Sequence, residues 1–446
     1  MDQVRSLQVR FEPSGRIVPV LPGTSLLTAS ERAGFRLPSI CGGQGTCGKC
    51  KVRILQGTSS FTSLEQESLS SEERQQGIHL ACQTLVHQNL TVEMLTEEQT
   101  EGTKFLTYGM PVEMELDDHL QKFYLDLPQP GLENQAADLE TIEQAISSKG
   151  EKLKISLPLL QKLSNLLREQ QFKITAVTAN GQLLTVEKGD TTSRRFGLAV
   201  DLGTTTIVGV LVDMSTGRDL AISARTNPQV AHGADVISRI QFATREPDGL
   251  QRLQRLVIGS INEIIDELTH QAGVTHREIY EMALAGNTIM EHLFLGVNPE
   301  YIAMAPYVPT FKRSQIVPAA ELGLNILPQA TVWTVPNISG YVGGDITGLI
   351  LAFELHRRDT LTLALDIGTN GEIVLGSRER LLCCSAAAGP AFEGGHISCG
   401  MRAMTGAIES VSFNGSDLFY QVIGGVAPQG ICGTGLIDIT SEMLKH

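Results

Sequence analysis

The alternation of apolar and polar positions over the first 95 residues predicts a small sheet with one main helix. Two alternating runs in residues 7–20 flank a Pro-Ser-Gly turn at 13–15, which is typical of a β-hairpin. Thr24 or Ser25 is suited to cap a helix that ends at Gly34. Further strands are predicted at 51–55, 78–86 and 90–95, with a short helical stretch near 63–75.

The next part of the chain is predicted to hold a linker and a second small unit. Residues 96–110 lack hydrophobic periodicity and read as the linker. Residues 111–193 form the second unit, with strands near 112–126, a helix from about 156 to 170, and a hairpin near 172–188 around the type I′ turn signal Asn180-Gly181. Because this unit carries no recognisable chemistry, we interpret it as a spacer or docking domain.

From residue 194 onward the pattern becomes that of an α/β domain with an internal repeat. Residues 197–212 and 361–376 are two similar strand–turn–strand segments, each with an Asp-x-Gly-Thr turn. The two aspartates, Asp201 and Asp366, are 165 residues apart. This spacing indicates a duplication at the level of a half-domain.

Composition and charge exclude several classes of function. The chain has 446 residues and a net charge of −14, which argues against binding to nucleic acid or to an anionic membrane surface. No signal peptide and no run of 18 apolar residues is evident, so the expected location is the cytoplasm, without a membrane anchor. Thiols stay reduced there, so the eight cysteines are expected to be metal ligands or buried thiols.

A glycine-rich loop carries the pattern C-x5-C-x2-C, formed by Cys41, Cys47 and Cys50, and Cys82 follows 32 residues later. Four thiolates suit either a [2Fe–2S] cluster or Zn²⁺. The intervening glycines favour the cluster, because a loop that wraps closely around it needs positive φ angles; they are Gly42, Gly43, Gly45 and Gly48. A zinc ribbon normally has two C-x2-C pairs, and only one is present here.

The predicted cluster loop is one residue longer than the plant-type C-x4-C-x2-C pattern and there resembles the adrenodoxin variant. The order of hairpin, helix, cluster loop and further strands is that of a β-grasp ferredoxin. We therefore predict a [2Fe–2S] ferredoxin-type domain over residues 1–95.

The two Asp-x-Gly-Thr turns are suited to bind a nucleotide. Glycine lets the backbone approach a phosphate, turn N–H groups and threonine hydroxyls donate to it, and an aspartate at a strand end holds Mg²⁺ through water. The predicted nucleotide-binding residues are Asp201, Gly203, Thr204, Thr205, Asp366, Gly368, Thr369 and Asn370. The alternative is a pair of hairpins in a duplicated scaffold that binds nothing.

These turns resemble the phosphate-1 and phosphate-2 motifs of the sugar kinase, Hsp70 and actin superfamily of ATPases. A ferredoxin domain in front of such an ATPase resembles the reductive activators of corrinoid proteins. Further segments whose sequences resemble that family lie at 285–296, 305–309, 338–345, 387–395, 399–403 and 430–438.

The resemblance implies a multidomain α+β and α/β protein. Its parts would be a β-grasp [2Fe–2S] ferredoxin domain at 1–95, a linker at 96–110, a small α+β middle domain at 111–193, and an actin-like (ribonuclease H-like) ATPase domain at 194–446. Only about 80 residues follow Asp366, fewer than lie between the two motifs. We therefore expect the ATPase domain to be incomplete at its C-terminus, and ATP turnover to need more than these residues.

The resemblance also implies a function, which is ATP-dependent one-electron reduction of a corrinoid methyl carrier from Co(II) to Co(I). The implied cofactors are the cluster and Mg·ATP, and the implied partners are the corrinoid protein, an upstream electron donor and a second copy of the chain in a homodimer. ATP is needed because plant-type clusters lie near about −400 mV, whereas the Co(II)/Co(I) couple is more negative in this family.

Two other functions stay open. The first is activation of another low-potential enzyme, such as a radical dehydratase, although those activators bind a [4Fe–4S] cluster between subunits. The second is an electron carrier or binding module whose ATPase scaffold is vestigial.

Several residues are lesser candidates for the chemistry. Asp345 follows two glycines at a predicted helix start, where it either caps the helix or positions an attacking water. Glu372 and Glu393 are similar candidates. Gly433 and Gly435 open the last predicted helix, whose N–H groups can contact phosphate.

The remaining histidines and cysteines have structural interpretations. His232, His292 and His396 are expected to be hydrogen-bonded structural residues in preference to cobalt ligands. Four cysteines without a C-x2-C pair are expected to be small buried residues in preference to a second metal site; they are Cys383, Cys384, Cys399 and Cys432.

Overall fold

The computed structural model describes residues 7–33, 35, 37, 45, 48, 50–95, 116, 119–146, 152–368, 370–386, 397–401, 403–414 and 417–445. The predicted linker at 96–110 and the segment at 387–395 therefore lie outside the described residues. So do Gly34, Gly42, Gly43 and His396.

The first unit is a five-stranded sheet in the order β2-β1-β7-β4-β5. Its elements are β1 (Leu7–Glu12), β2 (Arg16–Val20), β3 (Thr24–Ser25), α1 (Leu26–Arg32), β4 (Lys51–Gln56), α2 (Ser63–Ser68), α3 (Ser71–Gln75), β5 (Ile78–Leu80), β6 (Leu85–Val86) and β7 (Leu90–Met94). The predicted hairpin is confirmed, with Gly15 at φ +69° in its turn. The Ser25 hydroxyl accepts from the backbone N–H of Thr28 at 3.1 Å, which fixes the start of α1 as predicted.

Two expectations for this unit are corrected. The strand predicted at 78–86 is divided into β5 and β6, because the Leu80 carbonyl accepts from the N–H groups of Gln83 and Thr84 and forms a turn around Cys82. The helical stretch near 63–75 is two short helices, each begun by its own capping box, Thr62 with Glu65 and Ser70 with Glu73.

The second unit is a four-stranded sheet in the order β8-β10-β11-β9, covered by two helices. Its elements are β8 (Leu120–Asp126), α4 (Asp138–Ile146), β9 (Lys154–Ile155), α5 (Leu157–Glu169), β10 (Lys173–Ala179) and β11 (Gln182–Lys188). The predicted hairpin and the helix α5 are confirmed, and Asn180 and Gly181 both have positive φ, as a type I′ turn requires. The helix α4 was not predicted.

The third unit is a six-stranded mixed sheet in the order β14-β13-β12-β15-β17-β16. Its elements are β12 (Phe196–Leu202), β13 (Thr206–Asp213), β14 (Arg218–Thr226), α6 (Val236–Arg245), α7 (Gly249–Ala272), β15 (Ile279–Gly286), α8 (Thr288–Leu295), β16 (Ile316–Pro318), α9 (Ala319–Leu322), β17 (Thr331–Thr334) and α10 (Gly344–Ala352). The long helix α7 packs on β13 and β14. Gly209 allows this contact, because a Cβ there would lie 2.5 Å from Ile264 Cγ2.

The last part of the chain forms two three-stranded sheets and a helix. Its elements are β18 (Thr362–Ile367), β19 (Gly371–Ser377), β20 (Arg380–Ala386), β21 (Ala407–Asn414), β22 (Asp417–Val422), β23 (Gly430–Ile431) and α11 (Gly433–Lys445). The strands β18, β19 and β20 form an antiparallel meander, so the strand–turn–strand segment predicted at 361–376 is confirmed.

The second and third units share one hydrophobic core. Leu120, Val177 and Leu184 of the second unit are buried against residues of the six-stranded sheet. Lys122 crosses the boundary, with its Nζ 2.7 Å from Glu187 Oε2 and 3.0 Å from the Tyr280 hydroxyl. Apolar packing and a buried polar network therefore join the two units.

Among the helices of the described residues, none is both long and apolar enough to cross a membrane.

Candidate functional site

The first Asp-x-Gly-Thr motif forms a tight turn between β12 and β13, as the sequence predicts. The N–H of Gly203 donates to the Thr206 carbonyl at 2.9 Å, and the side chain of Thr204 is buried. A Cβ at Gly203 would lie 2.8 Å from the Thr206 carbonyl oxygen. The turn therefore requires glycine at this position.

Three polar side chains that sequence reasoning missed support this turn from behind. Asn227 Nδ2 donates to the Gly203 carbonyl at 2.9 Å, and Asn287 Nδ2 donates to the Thr204 hydroxyl at 3.0 Å. Arg239, which is fully buried, donates from Nη2 to the Thr204 carbonyl. The sequence does contain a sign of the role of Arg239, because its position places a cation on the apolar face of α6, between Val236 and Ile240.

The second motif forms the turn between β18 and β19. The N–H of Gly368 donates to the Asn370 carbonyl at 3.0 Å, and Thr369 lies outside the described residues. Asp366 and Glu372 are register partners across the two strands. The Ser385 hydroxyl of β20 donates to Glu372 Oε1 at 2.8 Å and so orients this carboxylate.

The start of α10 brings a third segment to the site and places Asp345 in the first helical turn, as predicted. A Cβ at Gly343 would lie 2.4 Å from Asn287 Cα, so the segment presses directly on the start of α8. Asn337 Oδ1 accepts from the Gly344 N–H at 3.1 Å, and Asn337 Nδ2 donates to Glu291 Oε2 at 2.7 Å.

Four carboxylates from these segments interact electrostatically, and we call the space that they surround the cleft. Burial and the charge of Asp366 raise the pKa of Asp201 to about 6, although the end of this side chain reaches solvent. Burial and the charges of Glu372, Asp366 and Asp201 raise the pKa of Asp345 to about 7. Burial also raises the pKa values of Asp366 and Glu372. The cleft therefore favours a cation or a proton.

No group of three histidine, cysteine or acidic side chains within the described residues is arranged to hold a metal ion directly. The carboxylates of the cleft are negatively charged oxygen ligands, which suit a hydrated cation that they contact through water. This is the mode in which Mg²⁺ usually binds beside phosphates.

Glu291 lies directly beneath the cleft and is fully buried. Its Oε2 accepts from Asn337, whereas its Oε1 has no hydrogen-bond partner among the described residues and lies against Gly344. Burial and the charge of Asp345 raise the pKa of Glu291 to about 9. This shift favours the protonated form of the group at neutral pH.

The described part of the cluster loop fits a metal–sulfur site. The sulfur atoms of Cys50 and Cys82 are 3.4 Å apart, far beyond the about 2.05 Å of a disulfide. Two thiolates on one tetrahedral metal with bonds of about 2.3 Å would be about 3.8 Å apart. Gly45 and Gly48 have φ angles of +79° and +63°, as the cluster prediction requires. Cys41 and Cys47 lie outside the described residues.

Gly433 and Gly435 lie in the first turn of α11, as predicted. A Cβ at Gly435 would lie 2.3 Å from the Ile408 carbonyl oxygen, so this glycine allows α11 to pack on β21. Contact of either glycine with phosphate stays a prediction.

Of the histidines, His292 has the hydrogen-bonded structural role that the sequence predicts, and His396 lies outside the described residues. His292 Nδ1 donates to the Thr288 carbonyl at 2.7 Å, and its Nε2 accepts from the Thr310 N–H at 3.1 Å. His232 stacks on Phe242, and burial lowers the pKa of its imidazole to about 4.

The burial predicted for the other cysteines is right only in part. Cys432 is buried, whereas Cys384 and Cys399 are exposed, which contradicts the prediction. Cys384 lies on the strand β20 at the edge of its sheet, where alternate side chains point to solvent.

Comparison with protein families divides the chain into four matched regions. Residues 9–87 match the 2Fe-2S iron-sulfur cluster binding domain, and residues 112–193 match the RACo linker region. Residues 196–358 match the RACo middle region, and residues 360–446 match the C-terminal domain of RACo, the ASKHA domain.

Individual relatives are similar over between about half and nearly all of the chain. The corrinoid activation enzyme RamQ of Eubacterium limosum is 30% identical over 418 residues, which cover 93% of this chain and 66% of the relative. A reductase of the Co(II) methylated amine-specific corrinoid protein, from Methanosarcina barkeri, is 29% identical over 229 residues, or 49% of this chain and 41% of the relative. The chain thus spans less than two thirds of the length of these curated relatives.

A solved structure of a reductive activator for a corrinoid, iron–sulfur protein is 38% identical and superposes with a TM-score of 0.67. The match covers 98% of this chain and 72% of that structure.

Proposed function

This chain belongs to the family of reductive activators of corrinoid proteins, and from that premise we propose that it reduces the Co(II) centre of a corrinoid protein to Co(I) by one electron in an ATP-dependent step. The proposal is supported above all by the electrostatic interaction between Asp201 and Asp366, because the charge of one can raise the pKa of the other only if the two repeated turns lie near each other. An electron carrier that binds no nucleotide would not need the two turns to lie near each other.

In the proposal, Mg·ATP binds in the acidic cleft. The turn at 203–205 and the turn at 368–370 donate backbone N–H groups and hydroxyls to the phosphates. The four carboxylates alone would repel a triphosphate, so Asp201 and Asp366 hold a hydrated Mg²⁺ that offsets the negative charge of the cleft and of the phosphates. We therefore expect the binding of ATP to require a divalent cation.

Asp345 is the proposed base of the nucleotide step. Burial raises the pKa of its carboxyl, so Asp345 is a stronger base than an ordinary aspartate and can accept a proton from the water that attacks the γ-phosphorus, while the bond from phosphorus to the ADP oxygen breaks. Glu372 is the lesser candidate, because the hydrogen bond from Ser385 already engages its carboxylate. Contact of Gly433 and Gly435 with phosphate is part of the same proposal.

At the other end of the electron path, Cys41, Cys47, Cys50 and Cys82 are the proposed ligands of the [2Fe–2S] cluster. When bound, the cluster supplies a one-electron carrier. Cys82 would hold it at the turn formed by residues 80–84, and Leu37, Leu80 and Ala81 would support that turn from the buried core of the unit.

The proposed partners are a corrinoid protein and a separate electron donor, and the proposed assembly is a homodimer. Sedimentation of the purified protein measures the assembly directly. A single species with the mass of one chain across the concentration range would contradict the homodimer.

One assay tests the proposed function as a whole. The full-length protein, a chemical reductant and a purified Co(II) corrinoid protein are mixed, and the Co(I) absorbance is followed with and without Mg·ATP. In the unchanged protein we expect Co(I) to form only when ATP is present. In Asp366→Asn we expect no Co(I) even with ATP. Asp219→Asn, which alters an exposed carboxylate on β14, should behave like the unchanged protein. No ATP-dependent Co(I) signal in the unchanged protein would refute the proposal.

The ligand assignment has its own test. Cys47→Ser should bleach the visible absorption of the cluster, and Cys384→Ser, at an exposed cysteine on β20, should leave it unchanged. An unchanged spectrum in Cys47→Ser would sink the assignment whatever the corrinoid assay shows.

A further inference from the structure

The ferredoxin unit contains a carboxylate that is completely buried and that the cluster prediction does not use. Glu65, in α2, has no exposed surface. Its Oε2 accepts from the backbone N–H of Thr62 at 2.8 Å and from the Thr62 hydroxyl at 3.1 Å. A capping box explains the bond from the Thr62 N–H but does not explain the bonds of the other oxygen.

The second oxygen, Oε1, binds the segment that carries Cys82. It accepts from the Leu80 N–H at 2.9 Å, from the Thr84 hydroxyl at 3.3 Å and from His79 Nδ1 at 3.2 Å. Leu80 and Thr84 are the two ends of the turn around Cys82. Glu65 thus holds that turn at both ends.

The same helix also contacts the other cluster segment. The Ser68 hydroxyl, at the end of α2, donates to the Gly45 carbonyl at 3.3 Å. The two segments meet again where the Ala81 N–H donates to the Cys50 carbonyl at 2.8 Å. One short helix therefore ties together the two parts of the chain that carry the predicted ligands.

Glu65 keeps its negative charge in this setting. Burial by itself raises the pKa of the carboxyl, but the hydrogen bonds from His79, Thr62 and Leu80 outweigh it and hold the pKa below its ordinary value. His79 stacks on Phe61 at 4.2 Å and is itself buried, so bulk water does not screen the pair.

We propose that Glu65 is a positioning residue for the iron–sulfur cluster and that its buried negative charge lowers the reduction potential of the cluster. Adding an electron beside a fixed anion in a medium of low dielectric constant is unfavourable, so the charge favours the oxidised state. A lower potential makes the cluster a stronger reductant. The inference rests on the cluster-binding domain and is independent of ATP and of corrinoid.

The test is a redox titration of the protein with dithionite, followed by the visible absorption of the cluster. Glu65→Gln keeps the shape of the side chain and removes the charge, so its midpoint potential should shift to a more positive value. Glu67→Gln changes an exposed carboxylate on the same helix and should leave the potential unchanged. A merely structural role for Glu65 would lower the unfolding temperature without moving the potential.

Equal potentials in Glu65→Gln and Glu67→Gln would overturn the inference. If Glu65→Gln does not retain the cluster, Thr62→Val serves in its place, because it removes one donor and leaves the charge less compensated. Its potential should then shift to a more negative value, and no shift would overturn the inference equally. Absence of a visible spectrum in the unchanged protein would instead refute the ligand assignment.

Discussion

Asp366 and Glu372 stand directly opposite each other in the antiparallel pair β18–β19. Two acidic side chains in this relationship repel each other, and cross-strand pairs contribute about 0.2–1 kcal/mol. The two repelling carboxylates lie at the edge of the cleft that also contains Asp201 and Asp345. A cation that binds there would be attracted by both carboxylates and would offset their repulsion.

We expect Glu372→Gln to stabilise the protein without Mg²⁺ by about 0.5 kcal/mol, because it removes one of the opposed charges and keeps the acceptor for the Ser385 hydroxyl. Added MgCl₂ should raise the unfolding temperature of the unchanged protein more than that of the variant. Thermal unfolding with and without MgCl₂ measures both effects, and Glu379→Gln, in the exposed turn before β20, is the control. Equal responses to MgCl₂ in all three proteins would contradict the expectation.

The raised pKa values in the cleft predict a pH dependence of stability. Asp201, near 6, and Asp345, near 7, bind protons more tightly in the folded state than in the unfolded chain, where aspartate titrates near about 4. Their contribution to the free energy of unfolding is thus fully present below about pH 4 and is lost as the pH rises to about 7.

Urea unfolding of the unchanged protein and of Asp345→Asn, compared between pH 5 and pH 8 without Mg²⁺, measures this contribution. The difference in stability between the two proteins should move in favour of Asp345→Asn as the pH rises. A difference that is constant with pH would show that Asp345 titrates normally.

The close contact of Gly344 with Glu291 predicts that adding one methyl group at position 344 destabilises the protein. A Cβ at Gly344 would lie 2.4 Å from Glu291 Oε1 and 2.8 Å from the Val335 carbonyl oxygen. Gly344→Ala should therefore cost about 1–3 kcal/mol of stability and shift α10 with Asp345. Gly348→Ala, in the same helix but with open space at its Cβ, should be neutral or stabilising by up to about 1 kcal/mol. Urea unfolding of both variants decides the matter, and similar losses in the two would contradict it.

The sequence predicted the parts of the site that follow from local pattern. The turns after Asp201 and Asp366 and the helix start before Asp345 depend on glycines next to apolar runs. Residues that act through contacts distant in sequence were missed. Arg239 is 35 positions from Thr204, and Asn287 is 83 positions from it, so no local period records either contact.

The ferredoxin unit shows the same division. Its hairpin was predicted from alternation and turn residues, which are local. The interruption of the strand predicted at 78–86 depends on Glu65, fifteen or more positions away, which binds the Leu80 N–H and the Thr84 hydroxyl. The apolar run itself gives no sign of that break.

The last prediction concerns Arg239, whose guanidinium donates to three separate oxygen acceptors next to the first phosphate turn. Besides the Thr204 carbonyl, it donates from Nε to the Gly233 carbonyl at 2.9 Å and from Nη1 to Gln229 Oε1 at 3.2 Å. A lysine cannot reproduce this planar fork, so Arg239→Lys leaves buried acceptors unsatisfied at about 1–3 kcal/mol each. The turn then loses its support, and we expect the affinity for Mg·ATP to fall about tenfold or more.

Titration calorimetry with Mg·ATP measures the affinity, and urea unfolding reports separately whether the variant is folded. Arg245→Lys is the matched control, because it changes an exposed arginine at the end of the same helix. Unchanged affinity in a folded Arg239→Lys variant would mean that the turn keeps its shape without the guanidinium. The buried charge would then serve only the packing of α6 against α8.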